Sequence, residues 1–274
     1  MTDVITDRQV ERWLREDVGH HDVTNDVPGD TEGRLVTREG GVVAGVDAAA
    51  SVFEYLDCAV TRTVEAGDRV ETGEVVLRVD GAARDVLRGE RVAVNVAGHA
   101  SGVATRTREA VVRVRDSDPD ARVAATRKTT PGLRGVEKRA VAAGGGDTHR
   151  LDLSHAVIVK DNHVAELGLA AATRRMVDRV SFVTTVEVEV EDPADAPRAA
   201  AAGADAVLLD NMSPGTVERA VGLVGESDAD AVLEASGGIT LETVPDYAAT
   251  GVDVLSMGSL THSAPSLDYS FGTG

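Results

Sequence analysis

The sequence predicts an α/β protein in which a small mixed domain is followed by a parallel (β/α) repeat domain. Two observations lead to this fold class. Short valine-rich runs broken by Gly and Asp fill roughly the first hundred residues, whereas apolar runs alternate with amphipathic stretches from about Ala121 onward. Alternating strands and helices favour parallel pairing through right-handed crossovers. Six such units predict a (β/α) barrel, closed or open, with a flat doubly wound sheet as the alternative.

The first domain begins with an amphipathic helix predicted over residues 6–17. A second helix is predicted over 47–56, and turn signals at 65–68 and 71–74 separate strand-like segments. A longer helix is predicted over 89–107, where apolar side chains recur at helical spacing. These elements predict a small α+β domain.

The second domain alternates six apolar runs with helical segments. The runs are ARVAATR, HAVIVKD, VTTVEVEVE, ADAVLLDN, DAVLEASGG and VDVLSMGS. The amphipathic segments include residues 134–143, 165–178, 214–224 and 241–250. Alternation within VEVEVE places its glutamates on one face of a strand and its valines on the other. The glutamate face is therefore predicted to need cationic partners, with a solvated edge strand as the alternative.

Each of these runs ends in a chemically competent side chain or in glycine. In order, the ends are Arg127 and Lys128, Lys160 and Asp161, Glu189 and Glu191, Asp210 and Asn211, Ser236-Gly237-Gly238, and Gly258-Ser259. In parallel α/β barrels the active site lies at the carboxyl ends of the strands. We therefore expect these groups to meet at one end of the barrel.

The net charge of −18, from 46 acidic and 28 basic residues, argues against nucleic acid and anionic membranes as partners. The acid excess and the scarcity of lysine suggest adaptation to high salt, with an ordinary acidic enzyme as the alternative. The single cysteine, Cys58, excludes an intrachain disulfide and a CxxC metal site. The N-terminus lacks the apolar region of a signal peptide, and no apolar run reaches about 18 residues. We expect a soluble, cytoplasmic protein.

All of the lysines in the chain fall within residues 128–160. They are Lys128, Lys138 and Lys160, and every other basic position is arginine. A compact ammonium suits a phosphate group, and arginine does not reproduce its shape. With Arg127, His149 and Arg150, the lysines form a cationic cluster that fits a small polyanionic substrate. Structural salt bridges are the alternative, and Lys138 is predicted to lie on the surface.

Two glycine motifs, EASGGIT and SMGSL, are predicted to bind a phosphate group. Glycines at strand ends expose backbone N–H groups, and the late strands of a barrel are a common phosphate site. Tight turns without a ligand are the alternative. Glu189 and Asp210 end adjacent runs and are predicted to bind Mg²⁺ or sugar hydroxyls. A Schiff base at Lys160 is a further alternative, since lysines at barrel strand ends form them in aldolases.

A set of motifs spread over roughly residues 20–270 occurs in an order and spacing that match one enzyme family. The most specific are TRKTTPGLRGVEKRAVAAGGGDTHR and IVKDNH. The others are HDVTND, GERVAVNVAGHASGVATRT, VEVEVE, ADAVLLDN, EASGGI and GVDVLSMGSLTHS. On these motifs the chain resembles the quinolinate phosphoribosyltransferases over most of its length.

The resemblance implies a Mg²⁺-dependent pentosyltransferase with two domains per subunit. An N-terminal α/β sandwich (1–105) would precede an open (β/α) barrel (106–265), and a C-terminal tail (266–274) would return to the first domain. The implied reaction joins quinolinate to phosphoribosyl pyrophosphate (PRPP), giving nicotinate mononucleotide, pyrophosphate and CO₂ in de novo NAD biosynthesis. A homodimer or larger homo-oligomer is also implied, in which the N-terminal domain of one subunit covers the barrel mouth of another.

The resemblance also implies roles for individual residues. Quinolinate would be held by Arg127, His149, Arg150 and, from the neighbouring subunit, Arg91. PRPP and its leaving group would contact Lys128 and Lys160, while ribose hydroxyls and Mg²⁺ would bind Glu189 and Asp210. The 5′-phosphate would be cradled by Ser236, Gly237, Gly238, Gly258 and Ser259. The implied catalytic residues are Lys128, Lys160, Glu189 and Asp210.

Two positions depart from the pattern of the family. Thr148 replaces a common asparagine, and Asp152 stands where a glycine is usual. We expect the Asp152 carboxylate to point away from Arg150. Two other activities stay open: a phosphoribosyltransferase of the same fold with another acceptor, such as nicotinate, and a Schiff-base barrel lyase.

Overall fold

A computed structural model of the chain describes residues 5–274. The chain divides into two compact units. Unit 1 comprises the residues up to Arg108 together with Thr130–Gly145 and Ser263–Gly274. Unit 2 comprises Glu109–Thr129 and Gly146–His262. The domain boundaries derived from the sequence stay a prediction.

The elements begin with α1 (Asp7–Val18), β1 (Asp30–Thr37), β2 (Gly41–Val42), α2 (Val46–Tyr55), β3 (Ala59–Arg62), β4 (Arg69–Val70), β5 (Val75–Ala82) and α3 (Ala83–Ser117). They continue with β6 (Arg122–Ala124), α4 (Arg134–Gly144), β7 (Val157–Val159), α5 (Asp161–Leu167), α6 (Leu169–Val177) and β8 (Val186–Val190). A 3₁₀ turn (Pro193–Asp195) leads to α7 (Ala196–Ala201), β9 (Ala206–Asp210), α8 (Pro214–Gly225) and β10 (Val232–Ser236). The last elements are α9 (Val244–Ala248), β11 (Val254–Ser256), α10 (Ser259–His262) and β12 (Tyr269–Thr273).

Unit 1 is built on a four-stranded antiparallel sheet in the order β12–β1–β5–β3. The C-terminal strand pairs with β1, and Tyr269 lies opposite Thr37. The core includes Leu35 and Phe53, both fully buried. The ring of Phe53 stacks on Phe271 with a centroid distance of 5.4 Å. The predicted α+β character of this part of the chain is confirmed.

A buried carboxylate joins two helices and a loop of unit 1. Glu137 on α4 is fully buried, and one of its oxygens lies 2.8 Å from His99 Nε2 on α3. Its other oxygen accepts a hydrogen bond from the backbone N–H of Thr130 at 3.0 Å. The prediction that Lys138 lies on the surface is wrong, because α4 is covered on most sides and leaves Lys138 only 3% exposed.

Unit 2 contains a six-stranded parallel sheet in the order β6–β11–β10–β9–β8–β7. Consecutive strands from β7 to β11 are thus paired with one another, and β6 pairs with β11 at the other edge of the sheet. A doubly wound sheet instead reverses its strand order at a switch point. The predicted open (β/α) barrel is therefore confirmed, with β6 and β7 at the two edges, and the doubly wound alternative is wrong.

Side chains alternate strictly between the two faces of this sheet. On β8 the three valines belong to the apolar core, together with Val207 and Leu209 of β9. The glutamates of β8 occupy the opposite face, where Glu187 is only 4% exposed. Because β8 lies between β7 and β9, the alternative of a solvated edge strand is wrong.

Most predicted helices are present, but α3 is much longer than predicted. It spans 35 residues instead of the predicted 89–107 segment. No proline interrupts this stretch, and the helix ends just before Pro119, as the restriction on residues that precede proline favours. The predicted segment 165–178 is divided into α5 and α6. Within residues 5–274, none of the helices has the length and apolarity needed to cross a membrane.

Candidate active site

A cavity of about 750 Å³ lies at the carboxyl ends of the parallel strands of unit 2. Residues that end or follow each of the six strands contribute to its walls. Of the predicted site residues, its lining includes Arg127, Lys128, His149, Arg150, Lys160, Glu189, Asp210, Ser236, Gly237, Gly238, Gly258 and Ser259. Arg91 lies instead on α3 in unit 1, with an exposed side chain 3.8 Å from Glu90. The structure thus brings together all the predicted residues that belong to unit 2.

Strand register explains why these side chains share one space. Asp210 on β9 is in register with Ser236 on β10. Two residues earlier, Leu208 is in register with Glu189 on β8 and with Glu234 on β10. Because side chains alternate along a strand, all five positions point to the face opposite the apolar core. Polar groups from distant segments therefore meet on the inner face of the barrel.

A lysine and two carboxylates occupy one side of the cavity. Lys160 follows β7, and its ammonium forms an ion pair with Glu189 on the neighbouring strand. Asp210 ends the next strand, and its Oδ2 accepts a hydrogen bond from Asn211 Nδ2 at 2.6 Å. The ion pair gives the Lys160 ammonium a carboxylate partner at the edge of the cavity.

The chain segment that carries His149 and Arg150 is fixed against β6. The backbone N–H of Ala125 donates to the carbonyl of Asp147 at 2.9 Å, and the N–H of Asp147 donates back to β6 at 2.8 Å. This pairing brings His149 and Arg150 into the cavity beside Arg127, which follows β6. His149 has a left-handed backbone with φ of 52°, a conformation that non-glycine residues seldom adopt outside specialised sites.

Arg127 and Arg150 form a cationic surface with unused donors. Each has an Nε atom that is buried without a hydrogen-bond partner. Burial, and next the nearby guanidinium of Arg127, lower the pKa of Arg150, although arginine stays charged in proteins. Two close guanidiniums with unsatisfied donors form a site for a carboxylate-bearing anion.

Two buried acids lie beside this cluster: Glu187, which the alternation in VEVEVE placed on the glutamate face, and Glu234, which was not identified from the sequence. Glu187 and Glu234 are each 4% exposed. His149 Nε2 lies 3.0 Å from Glu234 Oε2 and 3.6 Å from Glu187 Oε2. Burial, and next the charge of Glu234, raise the pKa of Glu187. The signal was present in the sequence, since Glu187 alternates with Glu189 and Glu234 precedes Ser236 by two positions.

The same trio is a candidate cation site. Ligand atoms of His149, Glu187 and Glu234 all lie within 4.8 Å of one another, and no other such group occurs within residues 5–274. The residues predicted to bind Mg²⁺ are different ones, Glu189 and Asp210. Both of these carboxylates border the cavity, and carboxylate oxygens are ligands that Mg²⁺ prefers.

The two glycine turns border the same cavity. Gly237 has φ of 94°, and a Cβ atom there would lie 2.2 Å from Asn211 Oδ1. A Cβ atom on Gly258 would lie 2.8 Å from the Lys128 side chain. Nearby, the hydroxyls of Ser256 and Ser259 are buried without a hydrogen-bond partner. Both turns thus keep space and donors available for an oxygen-rich anion.

Asp152, which departs from the family pattern, is engaged within its own loop. Its Oδ1 accepts hydrogen bonds from Ser154 N at 2.8 Å and Ser154 Oγ at 2.6 Å. The bond from the Ser154 hydroxyl is the main cause that lowers the pKa of Asp152. This local pairing fits the expectation that the carboxylate does not approach Arg150.

Family models and relatives show which family the chain is similar to. The model described as quinolinate phosphoribosyl transferase, C-terminal domain, matches residues 103–272, and the N-terminal domain model matches residues 21–101. A probable carboxylating nicotinate-nucleotide pyrophosphorylase of Methanothermobacter thermautotrophicus is 46% identical over 269 residues, covering 95% of this chain and 96% of the relative. The human carboxylating nicotinate-nucleotide pyrophosphorylase is 39% identical over 264 residues, covering 95% and 89%.

A solved structure gives the same result. The crystal structure of NadC from Streptococcus pyogenes superposes with a TM-score of 0.90 at 40% identity, covering 100% of this chain and 99% of that chain. Sequence and fold are thus shared over both domains rather than over the barrel alone. The chain belongs to the quinolinate phosphoribosyltransferase family.

Proposed function

We propose that this enzyme transfers the phosphoribosyl group of PRPP to quinolinate with decarboxylation, giving nicotinate mononucleotide, pyrophosphate and CO₂ in de novo NAD biosynthesis. One observation carries the proposal. The cavity of unit 2 combines buried guanidiniums that have unused donors with a rim of lysines, carboxylates and glycine turns. The first set suits a small dicarboxylate, and the second suits a sugar phosphate. Membership in the family supports the same pair of substrates.

The acceptor would bind at the cationic cluster. Arg127 and Arg150 would each hold a carboxylate of quinolinate, since a planar guanidinium fits a carboxylate with two parallel hydrogen bonds. His149 lines the same cavity, contacts the buried Glu234 and would add a third contact to quinolinate. Two carboxylates need more donors than one, which favours quinolinate over nicotinate as the acceptor.

The donor would bind at the opposite side of the cavity. The turns at Ser236-Gly237-Gly238 and Gly258-Ser259 would hold the 5′-phosphate, with Lys128 and Lys160 near the pyrophosphate. Glu189 and Asp210 would bind the ribose hydroxyls and Mg²⁺, and their donor set fits that ion. When bound, Mg²⁺ would neutralise charge on the pyrophosphate leaving group. EDTA should abolish turnover and added Mg²⁺ should restore it.

The transfer step places positive charge on the ribose ring as pyrophosphate departs. Glu189 and Asp210 are negative groups held beside the donor, so they stabilise that developing charge. Lys128 and Lys160 stabilise the departing anion. Holding both substrates in one cavity also positions the pyridine nitrogen for attack on the ribose.

Decarboxylation follows from the chemistry of the bound product. Loss of CO₂ leaves an electron pair on the carbon beside the ring nitrogen, and glycosylation has already made that nitrogen cationic. The ring therefore supplies much of its own electron sink. Arg127 and Arg150 would keep the remaining carboxylate in place while the product ring is protonated.

The test is a coupled assay for pyrophosphate and CO₂ with quinolinate or nicotinate as the acceptor. We expect equal amounts of both products from quinolinate and neither product from nicotinate. Pyrophosphate released from nicotinate without CO₂ would instead assign the other acceptor. Trapping of Lys160 by borohydride in the presence of substrate would support the Schiff-base lyase and contradict the proposal.

We also propose a homodimer or larger homo-oligomer in which Arg91 of one subunit completes the acceptor site of another. The support is that the Arg91 side chain is 59% exposed, belongs to unit 1 and is not among the residues that line the cavity. Mixing inactive Arg91→Ala and Lys160→Ala subunits should restore activity, because a mixed pair contains one intact site. No restoration after subunit exchange would contradict the shared site. Cytoplasmic location stays a prediction.

A further inference from the structure

Two buried carboxylates, on Glu187 and Glu234, lie beside His149, and the chemistry described so far uses neither. Glu234 also borders the cavity. The two acids lie on β8 and β10, the strands on either side of β9, and each is 4% exposed. One oxygen of each, Oε1, is buried without a hydrogen-bond partner. A charged carboxylate in such a place is costly unless a cation compensates it.

His149 is the group that meets both acids. Its Nε2 lies at hydrogen-bonding distance from Glu234, 3.0 Å, and slightly farther from Glu187, 3.6 Å. The backbone of the same residue is left-handed, and its N–H donates to Asp147 Oδ1 at 2.7 Å. The His149 residue is therefore held by two contacts, one through its backbone N–H and one through its ring nitrogen.

The position of these acids creates an electrostatic problem for the proposed acceptor. Quinolinate is a dianion, and uncompensated carboxylates beside it would oppose its binding. The charged groups that face or adjoin His149 include Glu187, Glu234, Asp147 and Arg150. The contact with His149 Nε2 gives one oxygen of Glu234 a hydrogen-bond partner and fixes which ring nitrogen faces the acids.

We propose that Glu234 is a positioning residue that holds His149 Nε2 through a hydrogen bond and so orients the imidazole on the acceptor side of the cavity, with Glu187 as the second carboxylate of the same cluster. The inference rests on the proposed function, because it assigns Glu234 an effect on quinolinate only. Glu234 acts through His149, and the glycine turns that bind PRPP are not involved.

A metal ion is the competing use of the trio, since imidazole and carboxylates also bind divalent transition metals. The geometry favours the hydrogen bond between His149 and Glu234. His149 and Glu234 are already at hydrogen-bonding distance, and the Arg150 guanidinium is close enough to act on Glu187. A bound divalent cation would add repulsion with that guanidinium.

The experiment is a double-mutant cycle of His149→Gln and Glu234→Gln, with KM measured separately for quinolinate and PRPP. A lost hydrogen bond to a charged group costs about 1.5–3 kcal/mol, so each single variant should raise the quinolinate KM about tenfold or more. The PRPP KM should stay within about twofold. The double variant should be no worse than His149→Gln alone, because both changes remove the same interaction.

The matched control is Glu218→Gln, an exposed glutamate on α8, which should leave both KM values unchanged. Thermal unfolding of each variant shows whether the fold is intact. Glu234→Asp is the second variant if Glu234→Gln is too unstable to assay. It keeps the charge but withdraws it from His149, and it should raise the quinolinate KM selectively.

The outcomes separate this inference from the proposed function. If His149→Gln impairs quinolinate binding but Glu234→Gln and Glu234→Asp do not, the inference is wrong and the proposed function stands. A double variant whose defect is the product of the two single defects would also overturn it. Tight Zn²⁺ binding to the wild type that is lost in Glu234→Gln would assign the trio to a metal instead.

Discussion

Lys160 shows how a single side chain combines charge with shape in this site. Its ammonium is paired with Glu189 and borders the cavity where the pyrophosphate of PRPP is proposed to bind. A lysine ammonium is a compact point charge, whereas a guanidinium is planar and larger. On the proposed function, this difference in shape explains why position 160 keeps one of the three lysines of the chain.

Lys160→Arg should retain the fold and lose most of its turnover. The larger head group keeps the charge but cannot occupy the same place beside Glu189 and the leaving group. The measurement is kcat together with the thermal unfolding midpoint. Arg219→Lys, an exposed exchange on α8, is the control and should change neither quantity. Near-normal turnover in Lys160→Arg would refute the argument from shape.

Gly237→Ala should weaken PRPP binding. The added Cβ would meet Asn211 Oδ1 at 2.2 Å, and the φ of 94° is unfavourable for alanine. Strain of about 1–3 kcal/mol corresponds to a rise in the PRPP KM of at least roughly fivefold. Gly215→Ala on α8 is the control, because nothing lies within 4 Å of its Cβ. The control should keep its kinetics and gain about 0.5 kcal/mol of stability.

The residues at the strand ends could be predicted from the sequence, but Glu234, two positions before the end of β10, was not predicted. Arg127, Lys160 and Asp210 follow apolar runs and stand out against them. Glu234 lies within an apolar run, and the pattern of a single acidic residue in a strand usually indicates a side chain exposed to solvent. Only the register of β8, β9 and β10 shows that it points inward and is buried.

The strand β12 is an element whose stability depends on one buried hydroxyl. Tyr269 pairs with Thr37 on β1, and its hydroxyl lies 3.0 Å from Ser101 Oγ on α3. Burial raises the pKa of Tyr269 to about 12, above its ordinary value near 10. In the folded state the phenol therefore stays neutral to a higher pH than in the unfolded chain.

The unfolding free energy should fall as pH rises through this window. Below about pH 10 the contribution of the neutral Tyr269 phenol to the free energy of unfolding is fully present. It is lost as the pH approaches 12, because the unfolded chain releases the phenol proton at a lower pH than the folded chain does. The difference in the free energy of unfolding between the wild type and Tyr269→Phe should decrease by about 1 kcal/mol between pH 9 and pH 11. Urea unfolding at each pH measures it. A gap independent of pH would contradict the buried phenol.

Periodicity predicted the order of elements but not their lengths. The alternation from Ala121 onward gave the strands of unit 2 because apolar runs there end sharply in polar residues. The extent of α3 was underestimated, although Val86 before the predicted segment and Ala110, Val111 and Val114 after it continue the apolar spacing. No proline interrupts these flanks, so they stay helical. Burial of Lys138 depends on packing around α4, which no local pattern reveals.

The charge of the whole chain bears on its assembly and its salt response. A net charge of −18 would make the subunits of the proposed homo-oligomer repel one another at low salt. Screening shortens the range of that repulsion from about 8 Å at 0.15 M salt to about 3 Å at 1 M. We therefore expect activity to rise with KCl well beyond 0.15 M, together with the mass from light scattering. An activity optimum at low salt would contradict adaptation to high salt.

One cavity of unit 2 is proposed to hold a dicarboxylate and a phosphorylated sugar side by side. The most direct measurement is a crystal structure with quinolinate, Mg²⁺ and an unreactive carbocyclic analogue of PRPP. We predict quinolinate on Arg127 and Arg150, with the 5′-phosphate on the turns of Gly237 and Gly258. Either ligand bound outside this cavity, with the cavity filled only by solvent, would contradict the proposed binding of both substrates there.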